Sequence, residues 1–155
     1  MTSSYQIPDL REHLDQSRVT SILQKALRQT IFSSGLRVSP RQLNRICNEL
    51  SREFFQFWIK KTYEEPIAYG SKLAREGLGV KSVLALTEAL REISWQESNP
   101  VAELPYVTSS FCNSLLEGYI TGREELLLDV QERTHRAYLS AMERSEVEGF
   151  KGESG

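Results

Sequence analysis

Apolar residues recur every three or four positions along most of this chain, which is the spacing that places side chains on one face of an α-helix. From Ser17 this pattern predicts a first long helix, and Gly35 is a suitable residue to end it. Ser39 and Pro40 mark the start of a second helix, because serine caps helix N-termini and proline fits the first helical position. The second apolar face continues to about Lys61.

The same periodicity predicts three further helices. Pro66 opens a short helix that Gly77 ends, and a strongly apolar helix follows to about Ile93, which we expect to lie at the centre of the fold. Residues 94–105 contain two prolines and show no long periodicity, so they predict a loop. The last helix, at about 106–146, contains no proline and is the longest.

The second half of this last helix repeats apolar or small residues at alternating spacings of three and four. This alternation is typical of a helix that lies along another helix. The predicted pairing seam consists of Leu127, Val130, Thr134, Ala137 and Ala141. Thr134, and Arg144 one step beyond the seam, are weak core residues, so we predict a short helix-pairing segment rather than a free-standing coiled coil.

The sequence therefore predicts an all-α fold of five main helices, with a possible extra helical turn before them. No stretch alternates at period two for long enough to predict a strand. With 155 residues the chain fits one domain. We expect a polar lead-in over residues 1–16, one helical domain over residues 17–148 and a frayed tail over residues 149–155.

Composition places the chain among globular proteins, with 39% hydrophobic and 26% charged residues. The sequence contains no apolar run of the roughly 18 residues that a membrane-spanning helix needs, and its start lacks the apolar core of a signal peptide. We therefore expect a cytoplasmic protein without a membrane partner. The two cysteines, Cys47 and Cys112, fit reduced, buried thiols in that compartment.

Charge is unevenly distributed along the chain. Residues 18–61 hold nine basic and two acidic side chains, whereas residues 64–155 hold sixteen acidic and nine basic ones. A nucleic-acid-binding module would use the basic stretch, with Arg41, Arg45 and Arg52 on one face of the second helix. The alternative, which we favour, is that the two parts pack together and neutralise each other, so nucleic acid is not the expected partner.

Residues that could carry chemistry are few. Glu132 and His135 form a single E-x-x-H pair, whereas a di-iron carboxylate site needs two. Residues 39–93 contain no histidine that could hold a haem, and neither cysteine has a histidine near it in sequence. We therefore expect no enzyme, no catalytic residue, no metal and no cofactor.

Aromatic residues leave one further alternative open. Phe54, Trp58 and Tyr119 could line a pocket for an apolar small molecule, which would make the protein a carrier. Packing in the core is the interpretation that we favour for aromatic residues at helical spacing.

Two motifs of the sequence resemble a known family. A G-x-x-L-A-x-x-G-L segment precedes an apolar helix, and a later GYI-x-GRE segment leads into Q-E-R. These motifs and their order resemble the helical N-terminal sensory domains of bacterial regulators related to the RsbR co-antagonists of the stressosome. The resemblance covers about two thirds of the chain. The matching residues are Gly70, Leu73, Ala74, Gly77, Leu78, Gly118, Tyr119, Ile120, Gly122, Arg123, Glu124, Gln131, Glu132 and Arg133.

The resemblance implies a globin-like helical bundle that binds no haem and ends in a long signalling-type helix. It also implies a stress-response role as a homodimer whose C-terminal helices lie side by side and lead to an output domain, commonly a STAS or PAS module. Gly79 stands where such domains often have a capping serine, and the sequence ends after the long helix. We therefore expect either an excised sensor domain or a single-domain protein that acts through a partner.

Overall fold

The computed structural model describes residues 10–34, 38–97 and 102–153, and the described residues form helices without any strand. This confirms the predicted all-α fold of five main helices with a long C-terminal helix. The globin-like arrangement of these helices stays a prediction. The elements are α1 (Leu10–His13), α2 (Gln16–Ser34), α3 (Pro40–Lys60), α4 (Glu64–Arg75), α5 (Val80–Gln96) and α6 (Leu104–Glu153).

Local capping explains the bounds of α3. The hydroxyl of Ser39 accepts a hydrogen bond from the backbone N–H of Gln42 at 3.2 Å, and Pro40 is the first helical residue. At the other end Lys61 adopts a left-handed conformation with φ 51°, and its N–H donates to the carbonyl of Phe57 at 2.8 Å. Both ends agree with the sequence-based expectation.

Two helices are longer than predicted. α5 continues past Ile93 to Gln96, and α6 spans Leu104–Glu153 rather than about 106–146. Pro105 lies within the first turn of α6, where its missing N–H costs no helical hydrogen bond. The middle of the predicted loop, residues 98–101, and the predicted stop at Gly35 lie outside the described residues.

The polar lead-in also contributes to the core, which its composition did not indicate. Leu10 in α1 and Leu14 just after it are both buried in the main hydrophobic cluster. The backbone N–H of Leu14 donates to the carbonyl of Leu10 at 2.8 Å and closes this single turn. The folded unit therefore begins before Ser17.

Aromatic side chains of α3 and α6 form the centre of the core. Phe54 lies edge-on to Phe55 and to Phe111 of α6, with ring centroids 5.8 and 5.4 Å apart. Trp58 is also fully buried. These contacts hold the first half of α6 against α3, and they confirm core packing for the dense aromatic stretch.

Glycines allow α4 and the first half of α6 to approach at backbone distance. A Cβ atom added to Gly70 of α4 would collide with the carbonyl oxygen of Leu115, and one added to Gly118 would collide with the carbonyl oxygen of Ile67. One turn later, a Cβ on Gly122 would lie 2.9 Å from the Cα atom of Ser71. Any side chain at these positions would push the two helices apart.

We therefore expect Gly118→Ala to lower the free energy of unfolding by about 1–3 kcal/mol, because the added methyl group has no room between the two backbones. Gly149→Ala is a matched control within the same helix, since no atom lies within 4 Å of the position that its Cβ would take. Alanine there should leave stability unchanged or raise it by up to about 1 kcal/mol. Urea unfolding followed by circular dichroism measures both, and equal effects would contradict the close approach.

Candidate functional site

The two halves of α6 have different surroundings. Up to Gly122 the helix contributes residues to the core, whereas every residue from Arg123 to Gly149 is exposed. We call residues 123–149 the protruding segment. At 1.5 Å per residue it extends for about 40 Å. Most helical stability in proteins comes from packing an apolar face against a partner, and the described residues of the single chain supply no such partner to this segment.

The five predicted seam residues all lie on the protruding segment and all are exposed in the single chain. Leu127 and Val130 each have 57% of their surface accessible. Thr134 satisfies its hydroxyl within the helix, since its Oγ1 donates to the carbonyl of Val130 at 2.8 Å. The seam therefore presents an apolar strip that the single chain leaves uncovered.

Further apolar side chains extend this exposed surface beyond the predicted seam. On the protruding segment they are Leu126, Leu128, Tyr138, Leu139, Met142 and Val147. Ile120, just before the segment, is also exposed. Ile120 is not among the predicted seam residues, although it precedes Leu127 by seven positions and thus continues the same repeat.

A groove lies where α5 meets α6, at the base of the protruding segment. We call it the α5–α6 groove, and its volume is about 250 Å³. Its lining residues are Val80 and Leu84 of α5 and Leu116, Tyr119, Ile120, Arg123, Glu124 and Leu127 of α6. Ile120 and Leu127 join this groove to the exposed strip farther along α6.

Tyr119 fixes the geometry at the base of the groove. Its buried hydroxyl donates to the carbonyl of Leu78 at 2.5 Å and accepts a hydrogen bond from Arg123 Nη1 at 2.9 Å. Leu78 follows the turn between α4 and α5, where Gly77 has φ 84°. The tyrosine therefore ties that turn to the place where α6 leaves the body of the protein.

The three residues of the alternative aromatic pocket have different surroundings. All three side chains are buried in the main hydrophobic cluster, and Tyr119 also lines the α5–α6 groove, which includes neither Phe54 nor Trp58. Their helical spacing on α3 turns both side chains inward, and spacing alone could not distinguish a packed core from a pocket. The structure does not bring the three side chains together around this groove.

The basic stretch is partly neutralised by acids from later in the chain. Three such ion pairs are Arg18–Glu97, Arg45–Glu76 and Lys60–Glu65. Arg41 and Arg52 lie on the exposed side of α3. The ion pairs favour mutual neutralisation between the two parts of the chain over a nucleic-acid surface.

Cys47 and Cys112 are both buried, and burial raises the pKa of each thiol to about 12. His135 lies on the exposed surface of the protruding segment. Within residues 10–34, 38–97 and 102–153, no three His, Cys, Asp or Glu side chains come together as metal ligands. Over the same ranges, no helix is both long and apolar enough to span a membrane.

A comparison of the chain with protein families, curated proteins and solved structures finds no match. The dominant feature of the site is an apolar surface that begins in the α5–α6 groove and continues along the protruding segment.

The buried thiols lead to a pH prediction. A free thiol loses its proton near the ordinary pKa of 9.0, whereas in the fold each keeps its proton up to about 12. Between these values the unfolded chain binds fewer protons, so this contribution lowers stability as pH rises above about 9.

We expect both thiols to resist a disulfide exchange reagent at pH 8 in the native protein and to react fully in urea, because burial blocks access and disfavours the thiolate. Cys47→Ser and Cys112→Ser identify which thiol reacts. Rapid labelling of either cysteine in the native protein would contradict its burial.

Proposed function

We propose that this chain is a non-enzymatic sensory or regulatory domain that forms a homodimer through α6 and passes a conformational signal along that helix to an output domain or partner protein. The observation that supports the proposal is the protruding segment, where an apolar strip with a 3–4 repeat is exposed. Exposed apolar strips of this extent on helices are typical of interaction surfaces.

Pairing of two copies accounts for the strip better than a small-molecule site would. Burying apolar surface contributes about 25 cal/mol per Å², and a pair of helices buries the strip along its whole length. The seam has small residues at Ala137 and Ala141, which allow close approach, and larger ones at Leu127 and Val130. The resemblance to stressosome-related sensory domains agrees with this arrangement.

Transmission along α6 follows from its continuity. The same helix is anchored in the body through Gly118 and Tyr119 and then continues into the protruding segment without a break. A stimulus that favours one of two packings of the body would shift or rotate the start of the segment. Because the segment is one helix, the displacement would reach its far end.

Val130→Glu tests the pairing. In a symmetric pair this substitution buries two carboxylates side by side, so we expect the dissociation constant of the dimer to rise at least about tenfold. Leu139→Glu is the matched control, because Leu139 is exposed on the opposite side of the same helix. Sedimentation velocity over a range of concentrations measures both. If both variants associate like the unmodified protein, the seam lies elsewhere.

Native mass spectrometry of the protein from rich-medium expression complements this test. We expect a dimer whose mass is twice that of the chain, because the proposed protein pairs through α6 and retains no ligand. A discrete additional mass on each subunit would instead indicate a ligand-binding sensor or carrier. A monomer at all concentrations would contradict the proposed dimer.

A further inference from the structure

The α5–α6 groove and the exposed seam belong to one helix face. Leu116 precedes Ile120 by four positions, and Ile120 precedes Leu127 by seven. Leu127 then opens the alternation of three and four that reaches Ala141. These positions fall on one side of α6. The α6 residues that form the floor of the groove are therefore the N-terminal end of the apolar strip.

α5 supplies the other wall of the groove. Val80 and Leu84 lie one helical turn apart, and each has 43% of its surface accessible, while Ile120 on the facing helix has 55%. These apolar side chains from two helices form a continuous concave surface on the folded body. Such a surface accepts the ridge of a third helix.

The length of the strip identifies the kind of occupant. From Leu116 to Ala141 it extends for about 38 Å, which requires a long helix with the same repeat. A small molecule in a groove of about 250 Å³ would leave the rest of the strip exposed. A second copy of this chain presents a matching strip over the whole length.

The positions of the large apolar residues favour a parallel orientation of the two copies. Ile120, Leu127 and Val130 lie near the body, whereas the far part of the strip contains threonine and alanines. In a parallel pair these three residues meet their counterparts at the level of the groove, whereas an antiparallel pair would place the small residues there. Parallel pairing would therefore bury the largest apolar side chains of the second copy against α5.

We propose that the α5–α6 groove receives α6 of a second copy in parallel, so that the dimer interface extends from the protruding segment onto α5. This inference rests on the proposed function and adds the body of the domain to the interface. Its consequence is that each copy's α6 contacts α5 of the other. The position of α5 therefore sets how closely the two helices can approach.

A cysteine introduced at Ile120 tests the orientation in the full-length chain. In the parallel dimer the two Ile120 positions face each other across the axis, whereas antiparallel pairing would separate them by most of the strip. We expect Ile120→Cys to form an intermolecular disulfide with diamide at least about ten times faster than Glu125→Cys. Glu125 is exposed and lies on the side of α6 away from the strip, and the two native thiols are buried.

Leu84→Glu tests the contribution of α5, because Leu84 is exposed and lies outside the seam of α6. We expect the dissociation constant of the dimer to rise at least about tenfold. Ile59→Glu is the matched control, since Ile59 is an exposed apolar residue of α3 that does not line the groove. Circular dichroism verifies that both variants fold.

The outcomes separate the two proposals. If Val130→Glu weakens the dimer while Leu84→Glu does not, or if Ile120→Cys and Glu125→Cys cross-link equally slowly, the groove is not part of the interface and the seam on α6 stands alone. If a discrete retained mass disappears in Leu84→Glu while dimerisation is unchanged, the groove binds a small molecule and the inference is overturned. A protein that is monomeric without any substitution removes the proposed function itself.

Discussion

The contact on which the structure depends is the close approach of the α4 and α6 backbones at Gly70 and Gly118. A Cβ at either glycine would collide with a carbonyl oxygen of the other helix, so the two backbones lie as near as main-chain atoms allow. This contact fixes where α6 leaves the body. Tyr119, which follows Gly118 directly, then ties the α4–α5 turn to the same point through its hydroxyl. Together they give the protruding segment a rigid base.

The second half of α6 projects from this base, and all of its residues from Arg123 to Gly149 are exposed. A helix that extends for about 40 Å without an apolar partner gains little from tertiary packing, which is the main source of helical stability in proteins. Yet the exposed residues of this segment include Leu127 and Val130, which lie on the same face of α6 as Ile120 of the groove. In the single chain this line of apolar side chains continues from the body into solvent. The proposed dimer completes it with the surface that a second copy supplies.

Sequence patterns predicted most of the fold because helix signals are local. Ser39 and Pro40 identified the start of α3 through capping chemistry that involves only neighbouring residues. The burial of Leu10 and the groove at Leu84 could not be predicted in the same way, because each depends on which helices become neighbours in space. Trp58 illustrates the same limit, since an inward-facing aromatic has the same spacing whether it lines a pocket or fills a core.

The composition of the strip also bears on how strong the proposed pairing is along its length. The part of the strip nearest the body contains Ile120, Leu127 and Val130, whereas the part farthest from the body contains Thr134 and two alanines. Because the stabilisation from burial scales with apolar area, most of the pairing free energy comes from the part nearest the body. In the proposed dimer, the far parts of the two helices would be held together more weakly, so the distance between them could change at a low cost in free energy. A change in packing around α5 of the proposed dimer would therefore act where the pairing is strongest and alter the distance between the two helices where the pairing is weakest.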